Sequence, residues 1–245
     1  MENLSQITYL GVREAFNYSD TAANQFVLSV LNKEIKARLM DEAKEYYAQK
    51  LNFDKEDIYL GNINKENCPN PFLAKCVIGN VNVVGLSVDM EKLTFVSGDL
   101  TSNKIYYFPN LETVLGAANF NNSGKIYIPK LKYCTRLSAV KCWIPELNTK
   151  IIPGNLSLVG SAVLDFNVET VGGDVNLAHS QIEDISSLTS CGTLNVNGTY
   201  GNIKKANKNL IIKHELYATC ANNFDLKLDR TKKNGDWYTD NNKAL

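Results

Sequence analysis

The histidines and cysteines that most often carry metal or nucleophilic chemistry are few in this 245-residue chain, and their spacing forms no catalytic or metal-binding pattern. There are two histidines, His179 and His214, and neither reads as having a metal-ligating companion; a surface position is the expectation for His179. The six cysteines are Cys68, Cys76, Cys134, Cys142, Cys191 and Cys220. None forms a C-x-x-C pair, and the gaps from Cys68 to Cys76 and from Cys134 to Cys142 are too long for a zinc knuckle. They read as reduced thiols filling buried columns, so neither a metal nor another cofactor is expected.

Phosphate-cradling, nucleophile-elbow, zincin and complete EF-hand motifs do not occur. Carbohydrate-active solenoids need carboxylates gathered across neighbouring coils to act as acid, base or ligand. Asp165, Glu169, Glu183 and Asp184 are the nearest set of that kind, and they read first as solvated edge charges. The expectation is a protein that catalyses nothing, with a solenoid carbohydrate-active enzyme as an alternative.

Charge and hydropathy narrow the partners. Lysine plus arginine equals aspartate plus glutamate at 26 each, so no global field draws the chain onto nucleic acid or an acidic membrane. The one dense cationic cluster, Lys204, Lys205, Lys208 and Lys213, reads as a solvated edge. No apolar run approaches the roughly 20 residues that span a bilayer. The first residues lack a basic segment followed by an apolar core, which makes the cytoplasm the expected compartment. A hydrophobic share of 44% suffices for a continuous core.

The element that must position any site is a repeat. Val77-Ile78-Gly79-Asn80-Val81 recurs as Val96-Ser97-Gly98-Asp99-Leu100, Val114-Leu115-Gly116-Ala117-Ala118, Ile152-Pro153-Gly154-Asn155-Leu156 and Val171-Gly172-Gly173-Asp174-Val175. The period is close to 19. Tyr133-Cys134-Thr135-Arg136-Leu137 and Ser190-Cys191-Gly192-Thr193-Leu194 keep the register and lose part of the motif. Gly61-Asn62-Ile63-Asn64 reads as a degenerate first coil, and Leu210 and Ile212 as the close of the array.

After each Gly-Asn/Asp step comes alternation, as in Leu156, Leu158, Ser161 and Val163, which predicts a short strand with one face buried. The glycine is expected to supply a backbone conformation other residues resist, and the Asn or Asp to bond back to its own backbone as a turn. One coil cannot bury its apolar edge alone. Stacked coils can, because equivalent apolar residues then form columns.

The pattern over 137–144, 156–163 and 175–182 resembles the leucine-rich-repeat core L-x-L-x-x-N/C-x-L, and the preceding Val-x-Gly-Asp step is similar to bacterial variants and receptor L domains. The resemblance covers about residues 77–213. It departs in a unit shorter than the typical repeat and in an asparagine-ladder column filled by Ser123, Cys142, Ser161, Ser180 and Thr199. The fold class expected is therefore mainly β, a leucine-rich-repeat-like or β-helix-like solenoid with an N-terminal α-helical cap.

Three segments follow. Residues 1–57 hold an amphipathic helix over 21–51, with Ser19 or Asp20 as N-cap and Phe26, Val27, Val30, Leu31, Ile35, Leu39, Ala43 and Tyr46 as its apolar stripe. Residues 58–228 hold seven to eight repeats. Residues 229–245 read as a flexible tail in which Trp237 and Tyr238 either anchor a partner or fold back onto the last coil.

One outward polar residue per coil forms a strip: Asn82, Thr101, Asn119, Ser138, Ser157, Asn176 and Asn195. It reads either as a ladder that solvates the sheet or as a recognition surface. The binding residues predicted are Asn119, Ser138, Ser157, Asn176, Asn195, Trp143, Trp237 and Tyr238. A mixed polar and aromatic surface favours a protein partner, held by an adaptor or, alternatively, blocked by a phage- or mobile-element-encoded inhibitor of a host enzyme or bacterial defence complex.

Overall fold

The computed structural model describes residues 33–69, 72–87, 90–104, 107–199 and 203–218, and the backbone of 237–238. The chain winds into a mainly β, parallel-stranded solenoid of about eight turns, and among the described residues one α-helix precedes it. Equivalent positions 18 to 22 residues apart pair in register. Leu137 sits beside Leu156, Leu156 beside Val175, Val175 beside Leu194 and Leu194 beside Leu216. A second inward column runs through Val77, Val96, Val114 and Cys134, and further on through Ile152 and Val171. All of these are buried. Each fully buried aliphatic side chain contributes about 2 kcal/mol of transfer free energy, so the columns dominate the stability of the stack.

Each coil has three sides. The first carries short strands such as Ile151–Ile152 and Thr170–Val171, and the second carries Leu156–Ser157 and Val175–Asn176. The third is a separate three-stranded sheet of Gly124–Lys125, Cys142–Leu147 and Ala162–Phe166. In two coils the corner between the first and second sides is straightened into one strand, Thr113–Asn119 and Tyr133–Ser138. These long strands join the two sides into a single 16-stranded sheet.

The glycine of the repeat has a different duty from the turn expected of it. Apart from Gly61 and Gly79, the repeat glycines are not in the left-handed region; they are small because the preceding coil lies against them. A β-carbon on Gly98 would overlap the Asn80 side chain, and one on Gly116 the Asp99 side chain. The Asn or Asp likewise bonds onward and not back: Asn62 Oδ1 accepts the Asn80 N–H, Asn80 Oδ1 the Asp99 N–H and Asp99 Oδ1 the Ala117 N–H, at 2.7 to 2.8 Å. The ladder resumes with Asn155 to Asp174 and Asp174 to Thr193. It ties coil to coil through groups that a lone coil would leave to water.

Left-handed backbone is concentrated at the next corner, between the second and third sides. Asn122, Lys141, Gly160, His179 and Gly198 stand there one per coil, with φ between 55° and 66°. Each of the first four donates its N–H to the following coil. His179 is exposed at this corner, as expected of it.

Several expectations change at the ends. The helix is described over Lys33–Leu51, and residues 21–32 with the proposed N-cap lie outside the described residues. Leu39 is buried, whereas Tyr46 is 56% exposed. The line Leu39, Ala43, Tyr47, advancing four residues at a time, is the less exposed one. Lys55 ties the turn after the helix back to Asp41 at 2.6 Å. The degenerate first coil is real: Ile58–Leu60 pairs with Cys76–Ile78, and Ile63 bridges Val81. The array does not close at Leu210 and Ile212, because Leu216–Tyr217 pairs with Leu194–Asn195 and Trp237–Tyr238 pairs in turn with Leu216–Tyr217.

Candidate functional site

The strand register decides which predicted site residues share a surface. Asn119, Ser138, Ser157, Asn176 and Asn195 line up on the second side. By backbone register the same column continues through Tyr217 to Tyr238, so the polar strip and one tail aromatic belong to one line. Trp237 holds the adjacent, Leu216 register position. Trp143 is on the third sheet, away from that strip.

The strip is half-buried, and part of its polarity is already used. Asn119, Asn176 and Asn195 each accept, on Oδ1, the N–H two residues ahead at 3.0 to 3.1 Å. What these asparagines retain for a visitor is their Nδ2 donors. Ser138 donates to Asn121 Oδ1 at 2.9 Å, and Asn121 also accepts the Val140 N–H.

The third sheet is richer in large side chains. Tyr107 and Tyr127 stack with ring centroids 5.3 Å apart, and Lys125 Nζ lies 4.6 Å from the Trp143 ring centroid. Leu164 is 63% exposed beside them in the neighbouring strand. The first side exposes Leu115 and Ile151. Neither leucine nor Ile151 was singled out from the sequence. The signal available was an apolar residue on the outward phase of an otherwise polar alternation.

Among the described residues no group of three His, Cys, Asp or Glu is arranged to hold a metal. Three of the four carboxylates weighed for acid–base work are held in ion pairs. Glu169 pairs with Lys150 at 2.5 Å, Glu183 with Lys204 at 2.8 Å and Asp184 with Lys205 at 3.4 Å. Burial alone would raise the Asp184 carboxyl; hydrogen bonds from Ser186 and Lys205 outweigh it and hold the group below its ordinary range. Such a group is ionised at neutral pH and is a poor proton donor. Asp165 is exposed next to Glu146 in register.

Burial pushes the Cys76, Cys134 and Cys191 thiols up to about 12, so at neutral pH they stay protonated and are poor nucleophiles. Cys142 lies in the buried column with Ser123, Ser161, Ser180 and Thr199, where its Sγ approaches the Phe120 carbonyl at 3.1 Å. Among the described residues no helix is long and apolar enough to cross a membrane.

The class these features define is a parallel β-solenoid with three sheet-like sides. Compared with known proteins, the sequence matches no family model and no curated protein, and no solved structure matches the fold.

Proposed function

We propose that this protein is a non-enzymatic binding module that presents the rigid sides of its solenoid to a partner protein. The observation that carries the reading is the outward placement of large apolar and aromatic side chains on flat parallel strands. Leu115 and Ile151 stand on the first side and Tyr107, Trp143 and Leu164 on the third, between 37% and 63% exposed. A surface fixed by column packing loses little conformational freedom when it docks, and exposed aromatics supply the contacts that dominate protein interfaces. The leucine-rich-repeat likeness of the strand pattern fits this reading, since stacked repeats of that kind offer long binding faces.

Photo-crosslinking amino acids at positions 115, 151, 127 and 164, with position 208 as a control, test it in the native host. The expected result is an adduct with one identified protein from the first or third side, absent at position 208. That protein should then bind the purified chain. Absence of any adduct at all four positions, with the chain folded and expressed, would refute the reading.

A further inference from the structure

The break in the inter-coil ladder coincides with the single guanidinium of the described array. In the column Asn62, Asn80, Asp99, Ala117, Arg136, Asn155, Asp174, the two coils without an Asn or Asp carry Ala117 and Arg136, which are register partners. There the corner turn is replaced by continuous strands, with a register shift between Val114 and Ala117. Such irregularities re-aim side chains and cluster beside functional positions.

Arg136 is exposed, yet its stem is seated. A β-carbon on Gly154 of the next coil would meet Arg136 Cγ at 2.5 Å and Cδ at 3.3 Å, so the aliphatic stem lies along the Gly154 backbone. A stem already laid down loses less freedom on binding than a free one. The charges bordering the first side neutralise one another: Glu112 with Lys132 at 2.6 Å, and Lys150 with Glu169. Among the described residues no carboxylate pairs with Arg136. In its own column, Asp99 and Asp174 stand two coils away on either side, about 10 Å at the strand spacing. Beside it, over three successive coils, are Leu115 at 46% exposure, half-buried Tyr133, Ile151 at 55% and exposed Pro153.

We propose that this corner docks an acidic, apolar peptide segment of a protein partner, with Arg136 taking a carboxylate and Leu115, Tyr133, Ile151 and Pro153 taking the apolar side chains. This rests on the protein-binding reading above and assigns its partner chemistry. The planar guanidinium fork matches a carboxylate bidentately and stacks on aromatic or amide planes, which an ammonium does not. A polyanion is disfavoured, since it would need a row of cations and has no use for the apolar neighbours.

The test selects displayed random dodecapeptides against the immobilised full chain, with a helical protein of similar size as the control. Enriched peptides are expected to carry Asp or Glu next to Leu, Ile or Phe. Binding of a synthetic winning peptide should weaken about tenfold or more in Arg136→Gln and in Leu115→Ser, with part of the affinity retained in Arg136→Lys. Thermal melting should be unchanged in Arg136→Gln, because the side chain is exposed. Enrichment of basic or uncharged peptides, affinity lost in Leu164→Ser and kept in Arg136→Gln, or no enrichment over the control would each overturn this site. The crosslinking result judges the broader protein-binding reading independently.

Discussion

The side-chain Oδ1 of Asn155 occupies the space in which a β-carbon on Gly173, one coil further along, would have to stand. Asn155 uses that same oxygen to accept the Asp174 N–H at 3.0 Å. Close approach and hydrogen bond are thus one device: the glycine is absent a side chain so that the asparagine can reach across. Gly173→Ala is expected to destabilise by about 1–3 kcal/mol through overpacking, and Asn155→Ala by about 1 kcal/mol through the lost bond. The double variant should lose less than the sum, because the alanine at 155 removes the atom the new β-carbon meets. Denaturant titration of the four chains measures this, and strict additivity would contradict the linkage.

Two of the serines in the small-residue column, Ser161 and Ser180, differ in their hydrogen bonding. Ser161 Oγ accepts the Cys142 N–H at 2.9 Å and donates to the Ala139 carbonyl. Ser180 Oγ is buried without a hydrogen-bond partner among the described residues. Ser161→Ala should therefore cost about 1–2 kcal/mol, while Ser180→Ala should be neutral or stabilising, since an unpaired buried hydroxyl is itself unfavourable. Equal losses in the two variants would count against the assigned bonds.

At the left-handed corner, Gly160 at φ 66° and Lys141 at φ 55° hold equivalent positions. A side chain there strains the backbone by about 1 kcal/mol or more, partly offset by the freedom a glycine loses on folding. Lys141→Gly should raise stability by about 0.5 kcal/mol, and Gly160→Ala should lower it by about 1 kcal/mol. Thermal unfolding distinguishes the two signs.

The buried thiols make a prediction about alkali. Cys76, Cys134 and Cys191 are held near 12 by burial, against an ordinary value near 9. The folded state therefore binds protons that the unfolded chain releases above pH 9, and stability falls as pH rises from about 9 to 12. Replacing all three by alanine should flatten that alkaline decline. Iodoacetamide at neutral pH should leave these three unlabelled in the native chain and label them in denaturant, as read by mass spectrometry. Rapid native labelling would contradict their burial.

Much of the architecture was legible along the chain because it depends on local alternation repeated at a fixed distance. A period near 19 with Leu137, Leu156, Val175 and Leu194 in phase fixes which residues must point inward, and the strand register stacks those four. The polar strip from Asn119 to Asn195 follows from the opposite phase of the same alternation. Arg136 was visible as a lapse in the motif, without any indication of what replaced it.

What tertiary structure decided is how one coil meets the next. Spacing does not say that Asn80 reaches forward to the Asp99 N–H instead of folding back on its own turn, that Gly98 is small because Asn80 lies on it, or that left-handed backbone gathers at Lys141 and Gly160. It does not separate Trp143 from the polar strip, nor seat the Arg136 stem on Gly154. Those relations join atoms about 19 residues apart in sequence, and their geometry is set by the corners each coil turns, which periodicity counts without orienting.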